Sequence, residues 1–413
     1  MRRQSIAVLT AGIVLLAVFA PPVCAGIMGN ALDNPWGIAV DDSGNAYVTG
    51  NISDNAFKIT PDGVVTEIID STGDGMGSTL DYPPGIAVDD SGNAYVTGDY
   101  SDNAFKIAPD GLITEIIDST GDGMGSTLDY PWGIAVDDSG NAYVTGSISD
   151  NAFKITPDGV IIEIIDSTGD GMGSVLDYPR GIAVDDSGNA YVTGSVSDNA
   201  FKITPDGVIT EIIDSTGDGM GNTLDYPWGI AVDDSGNAYV TGSVSDNAFK
   251  ITPDGVITEI IDSTGDGTGN SLDYPWGIAV DDSGNAYVTG GYSDNAFKLT
   301  PDGVITEIID STGDGMGNAL DNPRGIAVDG SGNAYVTGSV SDNAFKITPD
   351  GVITEIIDST DVVDFQDFAA LASKWREVDC SEPDWCGRAD IDFSGDVGFS
   401  DLKILTENWL EGI

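Results

Sequence analysis

The chain is built from one unit copied seven times. The segment Gly-Ile-Ala-Val-Asp begins at seven positions spaced 48 residues apart, which are residues 37, 85, 133, 181, 229, 277 and 325. A regular period of this length decides the architecture before any single residue does, because one unit cannot bury its own apolar faces whereas neighbouring units can. The chain is therefore expected to fold as a ring or stack of equivalent units.

Each unit predicts four short strands. In the fourth copy, runs rich in Val, Ile, Thr, Tyr and Phe cover residues 181–185, 189–193, 200–204 and 208–213. Gly, Pro, Asp and Asn bound these runs, and no helical periodicity is present. Four strands in each unit are typical of a β-propeller blade, so seven complete units predict an all-β, seven-bladed β-propeller. Residues 27–35 match the tail of a repeat and are expected to pack beside the last blade.

The repeated pattern resembles two known families. Pro-x-Gly-Ile-Ala-Val-Asp-x-x-Gly-Asn-x-Tyr-Val-Thr-Gly, recurring over about residues 27 to 360, resembles the NHL repeat and the bacterial propeller repeat called SBBP. The resemblance implies a propeller, a fold that serves binding platforms, scaffolds and enzymes alike. Propeller lactonases and streptogramin lyases share this fold, and the lyases rely on histidines.

Composition excludes several classes of function. The 413 residues contain 68 acidic and 15 basic side chains, for a net charge of −53, and no histidine. Such a chain repels polyanions, so binding to nucleic acid or to anionic lipid is not expected. Without histidine, Ser-His-Asp and Cys-His catalysis and imidazole metal sites are excluded. Oxygen-ligated calcium remains open.

The amino terminus predicts export. Residues 1–25 combine two arginines, an apolar run over residues 6–20 and a small residue before Gly26, which is the pattern of a secretory signal peptide. An uncleaved anchor is the alternative. The mature chain is then expected outside the cytoplasm, where Cys380 and Cys386 are predicted to form a disulfide.

The copies differ mainly at the residue before each Gly-Ile-Ala-Val. That position, called the rim below, holds Trp36, Pro84, Trp132, Arg180, Trp228, Trp276 and Arg324. Because it precedes the first strand of each blade, all seven residues are expected to ring one mouth of the central channel. The four tryptophans and two arginines are predicted to bind a ligand, for which a sugar ring is one candidate. The alternative is that they pack as structural wedges.

A second variable position follows each Thr-Gly, as at Asp99 and Tyr100. Its changes are interpreted as drift in an exposed connector, without a role.

The loops between blades have the spacing of calcium loops. Oxygen side chains occupy positions 1, 3, 5 and 12 and glycine occupies position 6, in Asp70, Thr72, Asp74 and Asp81 and in copies that begin at Asp118, Asp166, Asp214, Asp262 and Asp310. Calcium binding is one interpretation, and a plain turn without metal is the other.

The tail repeats this spacing and adds helices. It predicts calcium ligands at Asp390, Asp392, Ser394, Asp396 and Asp401. A helical pattern ending at Trp409 follows, and an earlier copy ends at Trp375. Two such loop–helix units resemble a degenerate type I dockerin, which implies an α-helical EF-hand-like domain and a cohesin-like partner. The first unit lacks the beginning of its loop, so one calcium ion is expected.

Together these features predict three regions: a signal peptide (1–25), a propeller (26–360) and a dockerin-like domain (361–413). The predicted function is that of a secreted, non-catalytic binding or scaffold protein. Its propeller, expected to be monomeric, would present a surface for a protein or glycan, and its calcium-binding tail would attach to a partner or cell surface. The alternative is an extracellular propeller enzyme, lactonase-like or acting on polysaccharides, that uses aspartate and calcium.

Overall fold

The structure, a computed structural model, describes residues 31–359 as seven four-stranded antiparallel sheets. Each sheet consists of four consecutive strands that are hydrogen bonded in chain order. This arrangement confirms the prediction of a seven-bladed propeller. The predicted signal peptide and the predicted dockerin-like domain lie outside the described residues.

The strands fall into four sets by their place in the blade. The first strands line the central channel and are β1 (Pro35–Val40), β5 (Ile86–Val88), β9 (Pro131–Val136), β13 (Pro179–Val184), β17 (Pro227–Val232), β21 (Pro275–Val280) and β25 (Pro323–Val328). The second strands are β2 (Ala46–Gly50), β6 (Ala94–Gly98), β10 (Ala142–Gly146), β14 (Ala190–Gly194), β18 (Ala238–Gly242), β22 (Ala286–Gly290) and β26 (Ala334–Gly338). The third strands are β3 (Asn55–Ile59), β7 (Asn103–Ile107), β11 (Asn151–Ile155), β15 (Asn199–Ile203), β19 (Asn247–Ile251), β23 (Asn295–Leu299) and β27 (Asn343–Ile347). The outermost strands are β4 (Val65–Ile69), β8 (Ile113–Ile117), β12 (Ile161–Ile165), β16 (Ile209–Ile213), β20 (Ile257–Ile261), β24 (Ile305–Ile309) and β28 (Ile353–Asp358).

A repeated aspartate ends the first strand of each blade. In the fourth blade, Asp185 Oδ1 accepts hydrogen bonds from the backbone amides of Ser187 (3.0 Å) and Asn189 (2.9 Å), which folds the chain back into β14. The hydroxyl of Tyr191 donates to Asp185 Oδ2 at 3.0 Å. Side chains of this type favour turns because they satisfy backbone amides locally. The repeated aspartate is thus part of the blade's own structure.

The hydrophobic core lies between neighbouring blades. Tyr47 and Ile69 of the first blade pack with Leu80, Ile86 and Phe105 of the second, and all five side chains are buried. The same cluster recurs at each of the six other junctions. A blade therefore completes its core only when its neighbour is present, as expected for a repeat protein.

Ring closure uses the same contacts as every other junction. The backbone amide of Asn34 donates to Asp342 Oδ1 (2.8 Å), and the hydroxyl of Thr337 donates to the carbonyl of Trp36 (3.1 Å). Leu32 is fully buried and packs with Tyr335 of the last blade. Every blade is formed by one repeat alone. The expectation that residues 27–35 pack beside the last blade is confirmed for the described residues before β1, through Leu32 and Asn34.

Candidate binding surface at the channel mouth

The rim residues surround one cavity. This cavity has a volume of about 200 Å³ and is lined by the seven rim positions together with the glycine and isoleucine that follow each of them. The first strands position these side chains, because in six blades the rim residue is the second residue of the strand that faces the channel, and in the second blade Pro84 lies just before that strand. The prediction that the rim rings the channel is confirmed, whereas ligand binding there stays a prediction.

The rim tryptophans pack against one another across the channel. The ring centroids of Trp36 and Trp132 are 5.1 Å apart, those of Trp132 and Trp228 are 5.7 Å apart, and those of Trp228 and Trp276 are 4.8 Å apart. Tilted pairs at such distances are favourable aromatic contacts. The rim tryptophans therefore form a packed aromatic layer in the lining of the cavity, and this packing fits the structural interpretation as well as the binding one.

Each rim arginine lies between two tryptophans. Arg180 Cζ is 4.0 Å from the ring centroid of Trp132 and 4.4 Å from that of Trp228. Arg324 Cζ is 3.9 Å from the centroid of Trp36 and 3.4 Å from that of Trp276. Burial lowers the pKa of Arg324 to about 9, because the charged form loses its hydration.

The second blade breaks the pattern at Pro84. A proline has no backbone amide to donate, and β5 accordingly starts only at Ile86, whereas the other first strands start at the preceding proline. Beside it, the ring of Tyr82 stacks on that of Tyr100 with a centroid distance of 4.7 Å. The side chain of Tyr100 is 54% exposed, so one face of this aromatic pair is open to solvent.

A tyrosine or asparagine stands two residues before each rim residue, separated from it by a proline, and it has a left-handed backbone. Tyr178, for example, has a φ of +56°, and the asparagine that replaces tyrosine in two copies has the same conformation. Asparagine tolerates this region, whereas it is strained for an aromatic residue and costs about 1–3 kcal/mol. The five strained positions, which all lie at the channel mouth, are Tyr82, Tyr130, Tyr178, Tyr226 and Tyr274.

The position after each Thr-Gly is buried, so the interpretation of this residue as an exposed connector is wrong. Asn51 is 0% exposed and Asp99 is 2% exposed. The backbone amide at this position donates to the carbonyl of the tyrosine or asparagine two residues before the rim, as from Asp99 to Tyr82, and this bond holds the residue inside. Only the next residue, such as Tyr100, faces solvent. The signal that could have identified this position is its chemistry: the copies hold Asn, Asp, Ser and Gly, which differ in charge and hydrogen-bonding capacity.

Unsatisfied polar atoms gather at this mouth. In blades with serine after Thr-Gly, the hydroxyl has a partner, as where Ser147 Oγ donates to the carbonyl of Tyr130 at 2.6 Å. Within residues 31–359, every buried side-chain polar atom without a hydrogen-bond partner belongs to the rim or to the position after Thr-Gly; these atoms are Asn51 Oδ1 and Nδ2, Asp99 Oδ1, Arg180 Nε and Nη1, Trp228 Nε1 and Trp276 Nε1. Such atoms are uncommon in native proteins, and their concentration in one place calls for a functional explanation.

The predicted calcium loops between blades are hydrogen-bonded turns. Asp70 Oδ1 accepts from the amide (2.8 Å) and hydroxyl (2.6 Å) of Thr72, and Asp74 Oδ1 accepts from the amides of Met76 (2.8 Å) and Ser78 (3.2 Å). These carboxylates point at their own backbone, and the part of the chain that the structure describes contains no group of three or more acidic or cysteine side chains placed to hold a metal. The loop geometry therefore does not fit a preformed ion site, and calcium binding by these loops stays a prediction.

The remaining predicted sites lie outside the described residues. These are the calcium ligands Asp390, Asp392, Ser394, Asp396 and Asp401 and the cysteines Cys380 and Cys386.

Comparison with a protein family supports the repeat assignment. Six segments match the β-propeller repeat SBBP, at residues 29–58, 75–99, 123–154, 171–199, 219–247 and 315–343. The chain thus carries SBBP repeats in a seven-bladed propeller. No curated protein matches the chain.

Solved structures with a similar fold include enzymes. Virginiamycin B lyase from Staphylococcus aureus has a TM-score of 0.59 and 22% sequence identity, over 76% of this chain and 94% of the lyase. A catalytically inactive variant of that lyase, with one histidine replaced by alanine and solved with quinupristin, has a TM-score of 0.60 and 21% identity, over 76% and 94% of the two chains. Hydrazine synthase from Kuenenia stuttgartiensis has a TM-score of 0.56 and 13% identity, over 81% and 98%. At these identities the likeness concerns the fold alone.

Proposed function

We propose that this seven-bladed propeller of SBBP repeats is a secreted, non-catalytic binding protein and that its recognition surface is the channel mouth. The single observation that carries this proposal is the concentration of unpartnered buried polar atoms at the rim and the position beside it. A ligand that supplied the missing hydrogen-bond partners would remove the cost of leaving these atoms unsatisfied. The strained tyrosines at the same mouth support the proposal, because backbone strain clusters at functional positions.

The non-catalytic part of the proposal follows from the chemistry of the repeated carboxylates. Asp41 Oδ2 accepts from the hydroxyl of Tyr47 (3.0 Å) and the side-chain amide of Asn45 (2.7 Å), and the equivalent aspartates have the same role in the other blades. These groups are committed to structure. The chain also has no histidine with which to reproduce the residue whose replacement inactivates the similar lyase.

Attachment is assigned to the tail. In this proposal residues 361–413 bind one calcium ion through the loop that begins at Asp390 and dock on a cohesin-like protein or on a cell surface. Export through the signal peptide at residues 1–25 brings the propeller outside the cell. The sequence pattern alone supports these two assignments. Within the described residues, no helix is long and apolar enough to cross a membrane.

The experiment is a fluorescence titration of the chain from Gly26 with a panel of glycans and extracellular proteins. Four of the seven tryptophans lie in the rim, so a ligand bound there should change their emission. We expect at least one ligand to do so with the native chain, and we expect Trp132→Leu to weaken its binding about tenfold or more, because aromatic contacts dominate such surfaces.

The matched control is Met172→Ala, which removes an apolar side chain that is 83% exposed in a loop between blades. Its binding should equal that of the native chain. If Met172→Ala and Trp132→Leu weaken binding equally, the recognition surface is elsewhere. Turnover of a lactone that is abolished by Asp99→Asn would favour the enzyme, because this buried carboxylate has no equivalent in the other blades.

A further inference from the structure

Two positively charged side chains line the cavity that the rim residues surround. Among the described residues that line it, the guanidinium groups of Arg180 and Arg324 are the only charged groups, and the remaining lining is Trp, Pro, Gly and Ile. They are also the only arginines within residues 31–359. In a chain with a net charge of −53, the channel mouth is thus a local positive site in a negative field.

The contacts of each arginine with the indole rings do not use its hydrogen-bond donors. A guanidinium is planar, and its five N–H groups lie in that plane. In both arginines two indole ring centroids lie 3.4–4.4 Å from Cζ. The indole N–H is a donor only, so these contacts leave the hydrogen-bonding edges of the guanidinium groups to other partners. Planar edges of this kind bind the two oxygens of a carboxylate side by side.

The hydrogen-bonding edge of Arg180 is only partly satisfied. Arg180 is only 8% exposed, and its Nε and Nη1 have no hydrogen-bond partner. Arg324 Nε donates to the neutral hydroxyl of Ser339 at 3.3 Å. Among the described residues, no carboxylate forms an ion pair with either arginine. The nearest counter-charge is Asp99, which interacts with Arg180, but burial raises the pKa of Asp99 to about 7, so this carboxylate is only partly ionised near neutral pH. Burying two cations is costly, and an anion between them would offset that cost.

The two arginines also sense each other. Burial is the main reason for the low pKa of Arg324, and the positive charge of Arg180 lowers it further. Like charges therefore face one cavity from the fourth and seventh blades. A single anion could interact with both, because the same cavity touches both side chains.

We propose that the channel mouth binds the carboxylate of an acidic sugar, held in the plane of the Arg180 guanidinium with Arg324 as a second positive charge. This inference rests on the proposed recognition surface and adds the chemical class of its ligand. The cavity of about 200 Å³ is smaller than the pockets that hold drug-sized ligands, which occupy about 300–1,000 Å³. A single sugar unit, free or at the end of a polysaccharide, fits this limit, and the four tryptophans that line the cavity offer apolar surface to a sugar ring.

The test is a calorimetric titration of the full secreted chain with D-glucuronate and with glucose, which differ in the carboxylate. We expect binding of glucuronate and binding of glucose at least about tenfold weaker, since hydrogen bonds to charged groups are stronger than those between neutral groups. Arg180→Trp, which introduces the residue of four other blades, should lose the preference for glucuronate. Arg180→Lys, which keeps the charge without the planar edge, should weaken glucuronate binding about tenfold.

The control is Lys154→Gln, which removes a positive charge from the side chain that faces Asp137 at 3.9 Å, and it should bind glucuronate like the native chain. Circular dichroism establishes that each variant is folded, and Arg324→Trp replaces Arg180→Trp if the latter is not. Tighter binding of a glucuronate oligosaccharide than of the monosaccharide would identify a polysaccharide as the source, and equal affinity would identify a free sugar acid.

Three results would overturn the inference: equal binding of glucose and glucuronate, an unchanged preference in Arg180→Trp, or binding of inorganic phosphate in place of glucuronate. A neutral ligand that changes rim fluorescence and depends on Trp132 would keep the proposed recognition surface while rejecting the anion. The two proposals therefore fail in distinguishable ways.

Discussion

Asp99 shows how one substitution in a repeat changes the chemistry of a buried position. Four blades hold serine there, and its hydroxyl can donate to a nearby carbonyl, as Ser195 does to Tyr178 at 2.6 Å. An ionised aspartate cannot donate, and Asp99 Oδ1 is left without a partner. Burial raises the pKa of Asp99 to about 7; Arg180 lowers it, and the carboxylates of Asp102, Asp81 and Asp129 raise it.

This pKa predicts a dependence of stability on pH. The folded chain holds the Asp99 proton up to about pH 7, whereas the unfolded chain releases it near pH 4. The folded state therefore binds more protons in this window, and its stability falls as the pH rises from about 4 to about 7. We expect Asp99→Ser to remove this part of the fall, so that the variant exceeds the native chain by about 1–4 kcal/mol at pH 8 and by much less at pH 4.

Chemical unfolding followed by circular dichroism at both pH values measures the difference. The reverse substitution in the neighbouring blade, Ser147→Asp, provides the matched control and should introduce the same loss at pH 8. A difference between the native chain and Asp99→Ser that is equal at pH 4 and pH 8 would contradict the assignment of the raised pKa.

The sequence predicts some features of the channel mouth and not others. The rim was found because tryptophan and arginine stand out in a repeat, and its placement was predictable from its position before the first strand. The burial of Asp99 is not predictable, because its backbone hydrogen bond joins residues 17 positions apart, Asp99 and Tyr82. The position of each arginine between two indoles was equally hidden, since it brings together residues from different blades.

At the scale of elements, strands were predictable and their exact ends were not. In the fourth blade the predicted run 181–185 corresponds to β13, which starts two residues earlier at Pro179, because the channel-facing strand resumes pairing beyond an irregularity. The other three strands of this blade match their predicted runs within one residue. The turn residues that recur in each repeat predict where these strands begin and end, whereas no residue pattern predicts the irregular pairing beside the rim.

The loops between blades show that the residue spacing of a calcium loop does not by itself make a metal site. The loop that begins at Asp70 has the spacing of a calcium loop, yet its oxygens accept hydrogen bonds from the loop itself. Gly73 has a φ of +60°, and a Cβ atom there would clash with the carbonyl oxygen of Ser78. The glycines and aspartates of this loop are therefore explained by the turn alone, since the turn requires both residue types at these positions.

A calcium titration separates the two kinds of loop. We expect calorimetry of the chelator-treated chain from Gly26 to give one site, because only the tail combines the loop spacing with a following helical pattern. Asp390→Ala should abolish it, and Asp74→Asn should leave it unchanged. Six or more sites would show that the loops between blades bind calcium, and the absence of binding would reject the calcium proposal for the tail.

At the scale of the whole molecule, closure makes the stability of every blade depend on its neighbours. Each core cluster is shared by two blades, so an open ring would expose the apolar faces of both its ends. The seventh repeat lacks a following repeat, and the segment before β1 supplies the missing contacts. The match of residues 27–35 to a repeat tail predicted this arrangement, since an equivalent sequence can make equivalent contacts.

Leu32 provides the test of closure, because it has a matched partner at an ordinary junction. Leu32 packs with Phe57 between the last and first blades, and Leu80 packs with Phe105 between the first and second. Their side chains are 0% and 1% exposed. We expect Leu32→Ala and Leu80→Ala to lower the free energy of unfolding by similar amounts, about 2–5 kcal/mol each, since both leave a cavity in an equivalent core.

Urea unfolding of both variants, followed by circular dichroism, measures these losses. Equal losses mean that the junction between the last and first blades is as tightly packed as a junction within the chain. If Leu80→Ala lowered the free energy of unfolding and Leu32→Ala did not, the segment before β1 would not close the ring. The contacts of Asn34 with the last blade would then be absent as well. Because the rim surrounds the channel only in a closed ring, that outcome would also remove the cavity on which the recognition surface depends.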